Sequence, residues 1–211
     1  MFNIILKDCG KSFNRIWLFR NLNATFQSGE KWAILGPNGS GKSTLGLLLC
    51  GQLTPTEGSV EYAYGQDSIP LKNLHSYVSL TSPALELNED LNTFELFALH
   101  QKLKPLQSNS GADVFANMTG FDAKIMHKPI ATFSSGMKQR VKLALATMSN
   151  TPLLILDEPF TNLDKAGEQF FYDLLERFGQ KRLIFIASNR EEEYAICDHR
   201  LNLLSGLNTN I

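Results

Sequence analysis

Short continuous apolar runs alternate with stretches of helical spacing along this chain, a pattern typical of an α/β protein. The runs at residues 31–35, 153–158 and 181–188 lack strict alternation, so we predict strands buried on both faces, as in a parallel sheet. Other predicted strands lie at 3–8, 22–27, 59–62, 77–80 and 199–204, with turns at Gly10-Lys11 and residues 28–30.

The middle third of the chain has a different pattern. Residues 91–103 and 137–149 carry apolar side chains at helical spacing, and a further helix is predicted near 112–120. Helices are also predicted at 44–50 and 167–178. We therefore expect one α/β domain over residues 1–207 with a helical subdomain inserted at about 84–148, followed by a disordered tail at 208–211.

The composition narrows the function classes. The chain has 211 residues, enough for one domain, and a net charge of −1 with no basic run, which argues against a nucleic-acid surface. Cys9, Cys50 and Cys197 are scattered, so we expect free thiols in a reducing compartment. No N-terminal signal is apparent, and no apolar run reaches the ~18 residues of a membrane span.

The most specific motif is the phosphate-loop pattern G-x-x-x-x-G-K-[ST] at residues 36–43, followed by Thr44. A predicted strand precedes it and a predicted helix follows, which is the setting that the motif requires. Its glycines allow successive backbone N–H groups to point inward at an anion. Lys42 can reach the β- and γ-phosphates, and the Ser43 hydroxyl can ligate Mg²⁺. The alternative, a chance glycine-rich turn, does not explain these flanks.

Two further segments are weaker signals by themselves. Asp157 and Glu158 end a buried strand, where one carboxylate can hold a Mg²⁺-bound water and the next can act as general base. The alternative is a strand end that reaches solvent. Ser134 and Gly136 open a helix, which is either a second anion site or an ordinary N-cap.

An aromatic cluster lies between the first two predicted strands and comprises Phe13, Trp17 and Phe19. It is either a packed sheet edge or a flat platform for an adenine ring. The sequence alone leaves both readings open.

The order of these segments resembles the ATP-binding cassette (ABC) ATPases, in particular the ATP-binding subunits of ABC transporters. The resemblance covers residues 3–205 and includes the serine-glycine signature, the L-L-I-L-D-E-P strand and Thr161-Asn162-Leu163-Asp164. It implies a P-loop NTPase fold with a mostly parallel central sheet, an N-terminal antiparallel β-subdomain and an inserted helical subdomain. Compact export-type and haem-exporter cassettes have a similar size.

The resemblance also implies roles for residues. Asp157 and Ser43 would hold Mg²⁺, Glu158 would be the catalytic base and Asn189 would take the place of the switch histidine. Two subunits would pair head to tail around two ATP molecules, each completing the other's site. Nucleotide-contacting positions would be Phe13 (with Trp17 in reserve), Gly36, Asn38, Gly39, Ser40, Gly41, Lys42, Ser43, Thr44, Ser134, Gly136 and, in the loop that crosses the dimer interface, Asp164.

The chain departs from the family pattern at three positions. The signature reads F-S-S-G-M at residues 133–137 instead of L-S-G-G-Q, which retains the serine and the second glycine. Leu80 stands where a glutamine is usual, and leucine cannot ligate Mg²⁺ or hold a water; Ser79 or Thr81 could substitute. Asn189 can bond a γ-phosphate but cannot carry a proton. We therefore expect ATP hydrolysis that is slow rather than absent.

The resemblance implies a transporter subunit, with the transmembrane permease on separate chains and this chain peripheral on the cytoplasmic face of the cell membrane. Residues 91–95 resemble the L-T-x-x-E segment that faces the membrane partner in export-type subunits, which favours export. The alternative is a soluble ABC-type ATPase, for iron–sulfur assembly or translation, without a membrane partner. The second ATPase subunit could be identical or different, and no nucleic-acid partner is expected.

Overall fold

The computed structural model describes residues 1–203, which form two compact units. The core unit comprises Met1–Leu80, Thr151–Glu158 and residues 181–203, and the helical unit comprises Thr81–Asn150 and Pro159–Gln180. Within the described part of the chain, no helix is both long and apolar enough to cross a bilayer. The predicted domain limits, 1–207 and 84–148, stay predictions, and the tail at 208–211 lies outside the described residues.

The elements follow one another in an α/β order. The strands are β1 (Phe2–Phe13), β2 (Ile16–Gln27), β3 (Lys31–Leu35), β4 (Glu57–Tyr64), β5 (Asp67–Ser68), β6 (Val78–Thr81), β7 (Leu153–Asp157), β8 (Leu183–Ala187) and β9 (His199–Asn202). The helices are α1 (Lys42–Leu49), α2 (Thr93–Leu103), α3 (Ala112–Thr119), α4 (Ala123–Met126), α5 (Ser135–Met148), α6 (Lys165–Phe178) and α7 (Glu191–Tyr194), with 3-10 turns at Leu71–Ser76 and Ile130–Thr132.

The central sheet has the order β6-β7-β8-β3-β9, and β3, β7, β8 and β9 pair in parallel. Every residue of β7 and β8 is buried, as the continuous apolar runs predict. Each fully buried leucine or isoleucine contributes about 1.5–3 kcal/mol relative to exposure. The carboxyl ends of β3, β7 and β8 meet at one edge, where the candidate site lies. The predicted strand at 199–204 ends earlier, at Asn202, and its last residue lies outside the described range.

A second, antiparallel sheet has the order β2-β1-β4-β5. Its first hairpin is longer than predicted, and the predicted turn at Gly10-Lys11 is wrong because β1 continues to Phe13. Register shifts after Leu6 and Cys9 allow pairing to continue past polar positions. The chain reverses at Asn14 and Arg15, whose φ values of +49° and +66° suit a two-residue type I′ turn.

The helical unit is built from α2 to α6, and the predicted helices at 91–103, 112–120, 137–149 and 167–178 are confirmed within two residues. Helix α2 begins at a capping box, in which Asn92 accepts from the Glu95 amide and Glu95 accepts from the Asn92 amide. Phe115 packs against Phe97, Phe121 and Phe170 at centroid distances of 5.5–5.9 Å. These aromatic contacts join α2, α3 and α6 into one core.

Candidate active site

The phosphate loop follows β3 and leads directly into α1, as predicted. Gly36, Gly39 and Gly41 have φ values of +150°, +81° and +101°. At Gly36 a Cβ would also lie 2.6 Å from the Leu203 carbonyl oxygen, so only glycine fits. The ammonium nitrogen of Lys42 donates to the carbonyl oxygens of Gly36 at 2.8 Å and Pro37 at 3.3 Å. The loop therefore curls around its own lysine, which places a positive charge where a phosphate would bind.

Residues around this loop differ in exposure. Asn38, Gly39 and Ser43 are exposed, and Ser40 is buried with a hydroxyl that has no hydrogen-bond partner among the described residues. A buried hydroxyl without a partner costs free energy unless something satisfies it. This arrangement suits a loop that presents polar groups to a ligand.

Asp157 ends β7 in the core unit and is 8% exposed. Burial raises the pKa of its carboxyl above the usual 3.8, a shift opposed by a hydrogen bond with Ser43 and increased by the charge of Glu158. One carboxylate oxygen, Oδ1, is buried without a hydrogen-bond partner. A hydroxyl beside a carboxylate with a free oxygen fits Mg²⁺, which takes few protein ligands alongside phosphate oxygens. Among residues 1–203, no group of three or more His, Cys, Asp or Glu side chains is placed to hold a metal ion.

Glu158 directly follows β7 and is exposed. Its φ of +46° is uncommon for a residue with a side chain, and its amide donates to the Ala187 carbonyl at 2.9 Å. This hydrogen bond to the last residue of β8 stabilises the positive φ of Glu158. Backbone strain of this kind clusters at active sites, so a carboxylate held into solvent beside Asp157 is a candidate base.

Asn189 and Asn38 form a direct contact in the core unit. The Asn189 side-chain nitrogen donates to Asn38 Oδ1 at 2.7 Å, although 151 residues separate them. Strand β8 runs parallel to β3 with Ala187 opposite Ile34, so the segments after both strands leave the same edge of the sheet. The residue at the switch-histidine position therefore lies against the phosphate loop.

The three predicted aromatic residues separate into different environments. Phe19 is 1% exposed and belongs to the hydrophobic core. It is therefore a packing residue of the sheet and cannot stack on an adenine ring. Trp17 has the Arg20 guanidinium 4.1 Å from its ring centroid. Phe13 ends β1, is 47% exposed and has the Lys11 ammonium 5.0 Å from its ring centroid. Phe13 therefore remains the better candidate for stacking on an adenine ring, and it lies at the end of β1, next to the hairpin turn.

The signature residues open α5 in the helical unit. Ser134 is the N-cap of α5, and its hydroxyl accepts a hydrogen bond from the Met137 amide at 3.2 Å, as an ordinary N-cap does. A Cβ on Gly136 would lie 2.7 Å from the Asn162 carbonyl oxygen, which excludes a larger residue without movement of that loop. The N-cap geometry of α5 thus fixes the position of Ser134, and the loop at 159–164 limits the size of the residue at position 136.

Asp164 caps α6 and also pairs with α5. Its Oδ1 accepts from the Gly167 amide at 2.8 Å and from the Arg140 guanidinium at 2.6 Å, and these two contacts, in that order, lower the pKa of its carboxyl. The Gln139 side-chain amide donates to the Pro159 carbonyl at 2.9 Å. Sequence reasoning missed Gln139 and Arg140, because nothing in a linear pattern links α5 to a loop twenty residues later.

Leu80 stands at the position where the family usually has a glutamine, and its two neighbours, Ser79 and Thr81, are the candidate substitutes. Leu80 packs against the hydrophobic core of the core unit, so its side chain is a structural one. Ser79 is buried and its hydroxyl is bonded to the Thr151 hydroxyl at 2.6 Å. Thr81 is 1% exposed with an unpartnered hydroxyl. Of the two substitutes considered from the sequence, Thr81 is the one with a free hydroxyl.

A strand, a glycine loop around a lysine and a helix, with a carboxylate pair at the same sheet edge, define a P-loop nucleoside triphosphatase. The chain belongs to the ABC transporter family, whose profile matches residues 19–161 and whose ATP-binding cassettes are ATPases. The predicted family and fold are thereby confirmed.

Relatives and solved structures agree with this assignment. The cytochrome c biogenesis ATP-binding export protein CcmA of Brucella abortus (strain 2308) is 33% identical over 177 residues, which cover 82% of this chain and 78% of CcmA. The lantibiotic transport ATP-binding protein SrtF of Streptococcus pyogenes is 29% identical over 185 residues, with 87% and 78% covered. The dimeric, post-hydrolysis structure of the ATP-binding cassette MJ0796 with ADP and Pi shares the fold, with a TM-score of 0.79 at 21% identity and 98% and 97% covered.

Proposed function

We propose that this chain is the ATP-binding and hydrolysing subunit of an ABC transporter. The observation that carries the proposal is the polar edge of the central sheet, where Lys42 follows β3 through the phosphate loop and Asp157 and Glu158 stand at the end of β7. CcmA and SrtF, the relatives named above, are an export and a transport protein by their names, which supports a transporter and an exporter. The proposed location is peripheral, on the cytoplasmic face of the cell membrane through a permease.

In this proposal the phosphate loop binds ATP. The backbone N–H groups of residues 36–44 surround the phosphates, and Lys42 exchanges its two loop carbonyls for phosphate oxygens. Ser43 and Asp157 hold Mg²⁺, which neutralises charge on the phosphates when bound. Phe13 stacks on the adenine ring.

Hydrolysis then needs a base and a sensor of the γ-phosphate. Glu158 accepts a proton from the attacking water, the water oxygen bonds to the γ-phosphorus, and the bond to the β-phosphate oxygen breaks to leave ADP and phosphate. Asn189 donates a hydrogen bond to the γ-phosphate. Because an amide cannot exchange that proton, we expect a rate below that of a site with histidine.

We further propose a head-to-tail dimer, in which Ser134 and Gly136 contact the γ-phosphate held by the other subunit. The start of α5 offers a hydroxyl and free backbone N–H groups at a helix N-terminus, which suits an anion. Asp164 and its loop lie beside this helix start through Arg140. The dimeric structure of the MJ0796 cassette supports a dimer.

The experiment is a tagged pull-down of the Glu158→Gln protein from detergent-solubilised native membranes with MgATP, because a trapped dimer should retain its partner. A Lys42→Ala variant is the matched control, tested at an ATP concentration that saturates only Glu158→Gln, since loss of the lysine should weaken ATP binding by about 10- to 100-fold. A membrane protein recovered in stoichiometric amount only with Glu158→Gln supports the transporter subunit. Recovery of a soluble dimer without a membrane protein contradicts it and favours a soluble ABC-type ATPase.

A further inference from the structure

We infer that Asn38 is the positioning partner of Asn189, and that the amide pair between them sets how strongly the site prefers ATP over ADP. The inference rests on the proposed function, because it concerns the γ-phosphate contact of Asn189. It adds a role for Asn38 that the phosphate-loop motif does not specify, since the motif leaves that position open.

The geometry of the pair follows from the central sheet. Asn189 stands two residues after β8, and Asn38 stands three residues after β3, which pairs with β8 in parallel. The amide of Ser188 donates to the Ile34 carbonyl at 3.3 Å, so this pairing continues up to the residue before Asn189. Backbone pairing thus fixes the segment after β8 relative to the segment after β3, and the 2.7 Å hydrogen bond between the Asn189 and Asn38 side chains then links the two segments.

The hydrogen-bond inventory of an amide explains how the pair can serve a phosphate. The Asn189 nitrogen carries two N–H donors, and Asn38 Oδ1 accepts only one of them. The second donor is available to an anion in the loop, where the Lys42 ammonium already lies 2.8 Å from the Gly36 carbonyl oxygen. The backbone N–H groups of the loop enclose the inner phosphates. The γ-phosphate is therefore the group that Asn189 reaches and that ADP lacks.

Asn38 contributes by removing freedom from Asn189. Both side chains are exposed, so without the pair the Asn189 amide would rotate among several rotamers, and a ligand would have to order it at a cost in binding. A hydrogen bond to a charged acceptor corresponds to roughly a tenfold or larger affinity ratio, and a neutral one to about threefold to tenfold. Loss of Asn38 should thus reduce the ATP preference by about threefold, and loss of Asn189 by about tenfold.

A double-mutant cycle tests the pair, with Asn38→Ala, Asn189→Ala and the double variant made in the Glu158→Gln background so that ATP persists. Dissociation constants for ATP and ADP are measured by titration at a protein concentration at which light scattering shows monomers. Asn73→Ala, an exposed asparagine on the 3-10 turn at Leu71–Ser76, is the matched control and should leave both constants unchanged.

We expect Asn38→Ala to weaken ATP binding with ADP binding unchanged, and the double variant to lose no more than Asn189→Ala alone, because Asn38 acts through Asn189. Additive losses, or equal losses for both nucleotides, would overturn the inference, since Asn38 would then act on the loop by itself. Failure of Glu158→Gln alone to bind either nucleotide is a different result, which would overturn the proposed function.

Discussion

Substitutions of Ser134 can separate its structural role, as the N-cap of α5, from its proposed functional role, as a donor to the γ-phosphate. Replacement by alanine removes the cap of α5, which typically costs about 0.5–2 kcal/mol. The 3.2 Å bond to the Met137 amide is at the long end of the normal range, so we expect about 0.5–1 kcal/mol and a fall in Tm of roughly 1–4 °C. Aspartate caps helices as well as serine does, so Ser134→Asp should melt within about 1 °C of wild type.

The two substitutions should nevertheless both impair hydrolysis. A carboxylate cannot donate to a phosphate and repels it, and alanine offers no hydroxyl; loss of one such donor typically costs about 100-fold in rate. Tm is measured by calorimetry and hydrolysis by phosphate release. Asp122→Ala, which removes the cap of α4 from the Ile125 amide, controls for stability and should hydrolyse ATP normally. If Ser134→Asp hydrolyses ATP at the wild-type rate, Ser134 is only a cap.

Lys42, Asp157 and Asn189 in the core unit can each be tested by a single substitution. Lys42→Ala should weaken ATP binding by about 10- to 100-fold, the value of a hydrogen bond to a charged group, and a titration with labelled ATP that shows unchanged affinity would contradict the loop assignment. Asp157→Asn should raise the Tm of the nucleotide-free protein at neutral pH. Burial raises the pKa of Asp157 in the folded state above the usual 3.8, so the folded state binds the proton more tightly and the free energy of unfolding falls as pH rises from 3.8 through the folded pKa. Asparagine carries no charge and avoids this loss. Melts that show no gain at neutral pH would refute this. Asn189→His should raise kcat by roughly threefold to tenfold by restoring a longer, titratable donor, and an unchanged kcat in phosphate-release assays would count against a sensor at this position.

Local signals in the chain are sufficient to predict the buried strands of the central sheet and the phosphate loop, but not the order of the strands. The sequences of β7 and β8 are short, continuous apolar runs, and their length favours strands buried on both faces over buried helices. The glycines of the loop are required by backbone angles that other residues avoid. Features of this kind depend on neighbours in sequence, which is why the sequence predicts them.

Contacts between distant segments were not predictable in the same way. The bulges that carry β1 past Gly10 and Lys11 depend on pairing partners in β2 and β4. The pairing of Arg140 with Asp164 depends on how α5 and α6 pack. Phe19 and Trp17 have similar local patterns, yet one is in the core and the other lies under Arg20. Register and packing decide these cases, and neither can be read from one segment alone.

The shared site and its catalytic base are tested together by Glu158→Gln with MgATP, in which light scattering reports the mass and phosphate release reports hydrolysis. We predict ATP binding, a rate at least about 100-fold below wild type from loss of the general base, and a nucleotide-dependent species of twice the 23.6 kDa chain mass. ATP turnover at the wild-type rate by a protein that stays monomeric would contradict both the base and the shared site.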